Sequence, residues 1–212
     1  MLDLIVKGGV ILWIIMGLAL VAAAVIIERL LYFRRIGTDE DKLFARVKGA
    51  VQKGYYDEAL SICDNNESPL SGLIKVGIDN RNQPELAQKE LLKEAANQEV
   101  PRLEKHVSTL GTIAHVAPLL GLLGTVTGTM QAFGVLGNFG SVADPSILAK
   151  GVSEALITTA GGIIVAVPAV MFYNYLVGKI NLILIRMESQ VNSLILMVNS
   201  GKRPSFPREE KR

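Results

Sequence analysis

Few side chains in the apolar part of this sequence could handle an ion. Val107 to Ala143 contains no Asp, Glu, Lys or Arg, and its one ionisable group is His115. Glu154 stands near the start of the next apolar stretch, and after it no charged residue occurs until Lys179. With both stretches as membrane helices, His115 falls toward the cytoplasmic end and Glu154 at the outer end, and the hydroxyls of Thr125 and Thr159 lie between them in depth, with Thr129 one turn beyond Thr125. Hydroxyls can hold a file of water, but they do not titrate in the physiological range. Proton carriers inside membranes ordinarily need an Asp, Glu or Lys at depth. If protons cross here, the mid-membrane acid belongs to a second polypeptide, so these residues predict a partner. Each also has a plainer reading. Glu154 suits the positive N-terminal end of a helix. The threonines can bond their own i−4 carbonyls. His115 can be a packed polar residue beside a proline kink, and Pro118 and Pro168 can be kinks with no further role.

Enzyme chemistry finds little support. There is no GxxxxGK[ST] pattern, and GLLGTVTGT lacks the Lys that would meet phosphates. His106 and His115 are the only histidines, and neither has Cys or carboxylate neighbours at metal-ligand spacing. No nucleophile–base pairing is visible, and no cofactor is implied. The charges of the polar segment are balanced, which argues against nucleic acid as a partner. The single Cys63 rules out an intrachain disulfide and fits a reduced, cytoplasmic thiol.

The elements that position these groups are membrane spans. Half of the 212 residues are hydrophobic while a fifth are charged, so the apolar residues are clustered. Val10 to Ile27 is the first run, Val107 to Ala143 the second and Gly151 to Lys179 the third. Each is long enough to cross a hydrocarbon core of ~30 Å as a helix. A signal peptide is the alternative for the first run, but Arg29, Arg34 and Arg35 follow it while Asp3 and Lys7 precede it, the opposite asymmetry. Arg29, Arg34, Arg35, Arg102, Lys105, Lys179 and Arg186 flank one side of the three spans. The positive-inside rule therefore puts the N-terminus outside and the segment from about Arg34 to His106, with the C-terminus, in the cytoplasm.

The expected layout is an outer tail over 1–9, a first span over 10–33 and a cytoplasmic helical segment over 34–83. A long helix carrying the second span covers 84–136, an outer turn 137–150, a third span with cytoplasmic extension 151–200, and a charged tail 201–212. Within 34–83, Thr38 is a candidate helix cap, Tyr55, Ala59, Leu60 and Ile62 share a helical face, and SPLSG and NRNQP read as breaks. The helix opened by Pro84 is expected to run straight into the second span, kinked where Pro101 frees the Asn97 carbonyl. Pro118 and Pro168 free the carbonyls of Ala114 and Ile164 in the same way. In the second span Ala114, Ala117, Gly121, Thr125, Gly128 and Ala132 form a face of small residues; in the third Ala155, Thr159, Gly162, Ala166, Ala169 and Tyr173 do. Leu156, Ile163, Val167 and Val170 lie elsewhere and can meet lipid. Past Lys179, Ile180, Leu184, Met187, Val191, Leu194 and Val198 step 4-3-4-3-4, a seam for self-association or for packing on the helix from Pro84.

APLLGLLGTVTGTMQAF followed by GVSEALITTAGGIIVAVPAVMFYNY closely resembles the ExbB/TolQ/MotA family of proton-channel subunits, its ExbB/TolQ branch in particular. The likeness covers residues of about 105 to 185. It implies an all-α polytopic protein with three transmembrane helices, two of them extended far into the cytoplasm, assembled as a homopentameric bundle around a central pore. It implies a bacterial inner-membrane location and an ExbD/TolR-like single-span partner carrying the titrating Asp. It further implies a TonB-like or other envelope load protein, and proton-driven work at the envelope. Carried over by motif position, it assigns pore-lining hydroxyls to Thr125 and Thr159, the pore-mouth acid to Glu154 and the family prolines to Pro118 and Pro168. Two positions depart from it: Thr127 stands where relatives often have a bulky aromatic, and His115 where they tend to have a small polar residue. With Thr129, His115 would extend the polar path, and the resemblance favours proton over sodium. The alternative from another class is a non-conducting membrane scaffold that anchors an envelope complex.

Overall fold

A computed structural model describes residues 9–66, 68–139 and 145–200. Among them the chain is all-helical: α1 Gly9–Gln52, α2 Tyr56–Asp64, α3 Pro69–Asp79, α4 Glu85–Glu104, α5 Val107–Phe139 and α6 Pro145–Ser200. Most of the expected outer tail, the 140–144 part of the outer turn and the 201–212 tail lie outside the described residues. Three helices, α1, α5 and α6, are long and apolar enough to cross a membrane. The chain forms two compact units: the residues up to Leu30 with His106–Val177, and Leu31–Lys105 with the residues from Gly178 onward.

Three sequence expectations about helix limits do not hold. The outer turn expected over 137–150 is narrower, because α5 runs to Phe139 and α6 begins at Pro145. Thr38 does not start a helix, because α1 continues unbroken through Gly37 and Thr38 to Gln52. The apolar run and the charged stretch after it are both rich in good helix formers, and no proline or paired glycine intervenes to stop propagation. Nor does the helix from Pro84 run into the second span. It ends at Glu104, and His106 adopts φ 65°, a left-handed conformation that terminates an α-helix. The long continuous helices that carry a span are therefore α1 and α6, not 84–136.

In the unit containing α2, α3 and α4, the core is built from Leu43 and Val47 of α1, Ala59 and Cys63 of α2, and Leu70, Leu73 and Ile74 of α3. Leu92 and Leu103 of α4 join it with Met187, Val191 and Leu194 of α6. The heptad-like seam of α6 is thus buried within its own chain, with Ile183 replacing Leu184 as the buried residue of its second step. Gly77 of α3 faces Leu92, Val191 and Ile195, so α3 and α4 share that seam. The SPLSG break is also a helix start. Ser68 caps α3 by accepting from the Ser71 N–H at 3.2 Å, with Pro69 in the first turn. Gly54, at φ 81°, turns the chain from α1 into α2.

The same unit buries a carboxylate, Glu40, whose Oε1 has no hydrogen-bond partner among the described residues. Burial pushes its pKa up to about 7, a backbone hydrogen bond with Leu70 opposes this, Asp41 adds to it, and Arg186 opposes it.

Candidate functional site

In the membrane unit α5 and α6 pack antiparallel through the two small faces read from the sequence. Ala114, Ala117 and Ala132 are buried on α5, and Ala155, Ala166 and Ala169 on α6. Glycine is required where the backbones meet. A Cβ on Gly121 would lie 2.9 Å from the Thr159 Cα, and one on Gly162 would lie 2.5 Å from the Ala117 carbonyl oxygen. Gly124 receives the Thr158 side chain, Gly128 receives Ala155, and Ala132 fits against Gly151. Gly111 receives the ring of Tyr173. Leu156, Ile163, Val167 and Val170 are exposed, as their place outside the small face requires. Close approach of this kind maximises van der Waals contact, the main source of helix association in lipid.

The hydroxyls then divide. Thr159 Oγ1 donates across the pair to the Gly121 carbonyl at 2.8 Å, so it does not merely bond its own helix. Thr125 bonds its own helix, though to the i−3 carbonyl rather than the expected i−4 one, donating to Leu122 O at 2.7 Å. Thr129 donates to Thr125 O at 2.7 Å, and Thr127 to Leu123 O at 2.9 Å. His115, on the exposed side of α5, makes a 2.7 Å contact from Nδ1 to the Gly111 carbonyl. Thr125, Thr129 and His115 fall within an arc of about 80° on α5 at ~100° per residue, with Pro118 inside it. This flank is the side of the pair to which Thr159 also turns; Leu12 of α1 covers the opposite side at Gly161.

Glu154 belongs to that other side. It stands five residues before Thr159, about 140° around the helix. There it lines a cleft of about 510 Å³ with Thr127, Gln131, Lys150, Thr158 and the start of α1. The structure therefore brings Thr125 and Thr159 to one flank and separates Glu154 from them. Pro118 is half-buried and Pro168 exposed, each within an unbroken helix. Sequence reasoning missed Thr158, which is buried and donates to Ala155 O at 2.6 Å. Its signal was present: Thr158 stands three residues after Ala155 and four before Gly162, a spacing as good as that of Thr159. Among the described residues no group of three His, Cys, Asp or Glu side chains could hold a metal.

A helix pair joined through small residues, with hydroxyls on one flank and no Asp, Glu, Lys or Arg along 107–139, is the arrangement of a polytopic membrane protein. The comparisons agree. Residues 65–189 match the model of the MotA/TolQ/ExbB proton channel family, and the chain belongs to that family. It is 32% identical over 185 residues to an ExbB homologue of Methanothermobacter thermautotrophicus, covering 85% of this chain and 64% of that one. It is 34% identical over 181 residues to an ExbB-like protein of Synechocystis, covering 84% of this chain and 71% of the relative. Over a shorter stretch of 89 residues it is 46% identical to the Tol-Pal system protein TolQ of Haemophilus influenzae, covering 42% of this chain and 39% of that one. The chain thus spans less than two thirds of the length of the Methanothermobacter relative.

Proposed function

We propose that this chain is the proton-conducting subunit of a bacterial inner-membrane motor, with its N-terminus periplasmic and its C-terminus cytoplasmic. Five copies surround an ExbD/TolR-like single-span partner that carries the titrating Asp. Proton flow moves the partner relative to the ring, and a TonB-like or other load protein takes up that motion at the envelope. Thr125 and Thr159 hydrate and hydrogen-bond the partner's carboxyl as it gains and loses a proton. Thr129 extends this polar lining, and Pro118 and Pro168 shape the helices beside it. Glu154 acts at the outer mouth from its own cleft. A gradient of ~100 mV supplies ~2.3 kcal/mol per charge moved, so several protons are needed for each substantial stroke.

The observation that carries this reading is the Thr159–Gly121 hydrogen bond. It fixes a hydroxyl at the contact of two spans, on a flank that holds Thr125 and Thr129 and, among the described residues, no carboxylate. Native mass spectrometry of the chain, gently extracted from its own membrane, tests it. Five copies carrying a small single-span protein support the motor. A monomer or dimer without such a companion moves the assignment to a non-conducting scaffold.

A further inference from the structure

His115 is the one ionisable side chain of α5, and its geometry is that of a base with one nitrogen fixed. The Gly111 carbonyl can only accept, so the 2.7 Å contact requires a proton on Nδ1. In the neutral ring that leaves the Nε2 lone pair unprotonated; in the cation both nitrogens carry protons and the Gly111 bond is kept. The bond therefore survives both states, and the ring can take and release a proton at Nε2 without reorienting. His115 is exposed in the protomer, on the flank of α5 that carries Thr125 and Thr129. An imidazole facing hydrocarbon is unfavourable, whereas one facing a bundle interior or a wet path is the usual arrangement.

We propose that His115 is a proton relay at the cytoplasmic end of the hydroxyl-lined flank, taking protons at Nε2 from the water file and passing them to cytoplasmic water. This deepens the channel assignment above and rests on it. His115 lies about 15 Å along the axis from Thr125, a gap for a short file of water. Pro118 removes the N–H that would bond the Ala114 carbonyl, which leaves an acceptor next in sequence to His115 for such water. The transfer balances without a co-reactant. A hydronium of the file gives its proton to Nε2 and becomes water; with Nδ1 held on the Gly111 carbonyl, the same Nε2–H then returns that proton to a cytoplasmic water that has taken the first water's place. Leu122 and Val126 are exposed beside His115 on the same flank.

Few other charges face the ring. From α6, Tyr173 is the titratable group nearest in register, with its ring on Gly111. From α1, Glu28 and Arg29 are engaged at His106, whose Nδ1 lies 3.2 Å from Glu28 Oε2 and 3.3 Å from Arg29 Nη2. His106 stands nine residues before His115 in the sequence.

The test uses the complex as extracted, with whatever partner accompanies it, in vesicles holding a pH-sensitive dye. His115→Asn keeps a donor for the Gly111 carbonyl but cannot carry a proton. It should assemble and melt as the parent does, while flux falls on the order of a hundredfold, the scale of losing a proton-transfer group. His115→Gly should regain flux with added imidazole, and the pH midpoint of the regained flux should move when 4-methylimidazole is used instead. Loss of flux in His115→Asn without rescue of His115→Gly would overturn the relay in favour of a packing role. Full flux in His115→Asn, with flux lost in Thr159→Val, would overturn the relay and leave the channel standing. Full flux in both would overturn the two together.

Discussion

Replacing Thr159 by Val separates the structural from the conducting role of the hydroxyl. Val keeps the branched shape, so the close fit of Gly121 against the Thr159 Cα is preserved. What is lost is one interhelical hydrogen bond of 2.8 Å. Bonds of this kind within membranes contribute about 0.6 kcal/mol on average and about 1.7 at most. Adding a methyl group to Gly162 instead would drive a Cβ to 2.5 Å from the Ala117 carbonyl oxygen. Overpacking of that kind costs about 1–3 kcal/mol and must part the two helices. Thr159→Val should therefore unfold within about 1 kcal/mol of the parent in a detergent titration and keep its oligomeric state, yet lose proton flux in dye-loaded vesicles. Thr159→Ser, which restores the hydroxyl, should recover most of that flux. Parental flux in the Val variant would refute the reasoning, as would a Ser variant no better than Val. Collapse of the assembly in Thr159→Val would show that the bond serves structure alone.

Gly162→Ala should lower stability by about 1–3 kcal/mol and weaken flux through helix separation, which thermal melting and the vesicle assay read together. Glu40, with its pKa raised from 4.5 to about 7, binds its proton more tightly folded than unfolded, so the stability it contributes is full below pH 4.5 and is lost as pH rises through about 7. The slope across that window is at most about 1.4 kcal/mol per pH unit, and Glu40→Gln should flatten it in denaturant titrations run from pH 5 to 8. Met187→Ala, at a fully buried position of the α6 seam, should cost about 2–5 kcal/mol by opening a cavity, read from the shift in unfolding midpoint. Cys63 is buried and its thiol is pushed up to about 11 by that burial, so iodoacetamide at neutral pH should label the unfolded chain and spare the folded one.

The three spans and their two small faces, one with Thr125 and the other with Thr159, were legible in the sequence. A helix in lipid shows its partners through side-chain size at spacings of three and four, and that pattern is local. The membrane family was legible for the same reason: its motifs lie within two continuous helices. Helix limits were less legible. Thr38 has the composition of a cap, but a cap matters only where a helix stops, and α1 does not stop there. The break at His106 depends on a single residue in the left-handed region, held at Glu28 and Arg29 some 77 residues earlier in the chain, which no local pattern encodes.

Tertiary structure alone decided which hydroxyl crosses between helices. Thr158 and Thr159 are adjacent and chemically identical, yet one is buried against Gly124 and bonds its own helix while the other reaches Gly121. It also set Glu154 apart from Thr125 and Thr159, and it turned the α6 seam inward upon α3 and α4 rather than toward another copy. Periodicity says which residues share a face of one helix; what that face meets depends on the rotation of each helix against its neighbours, and close packing of whole surfaces settles that rotation.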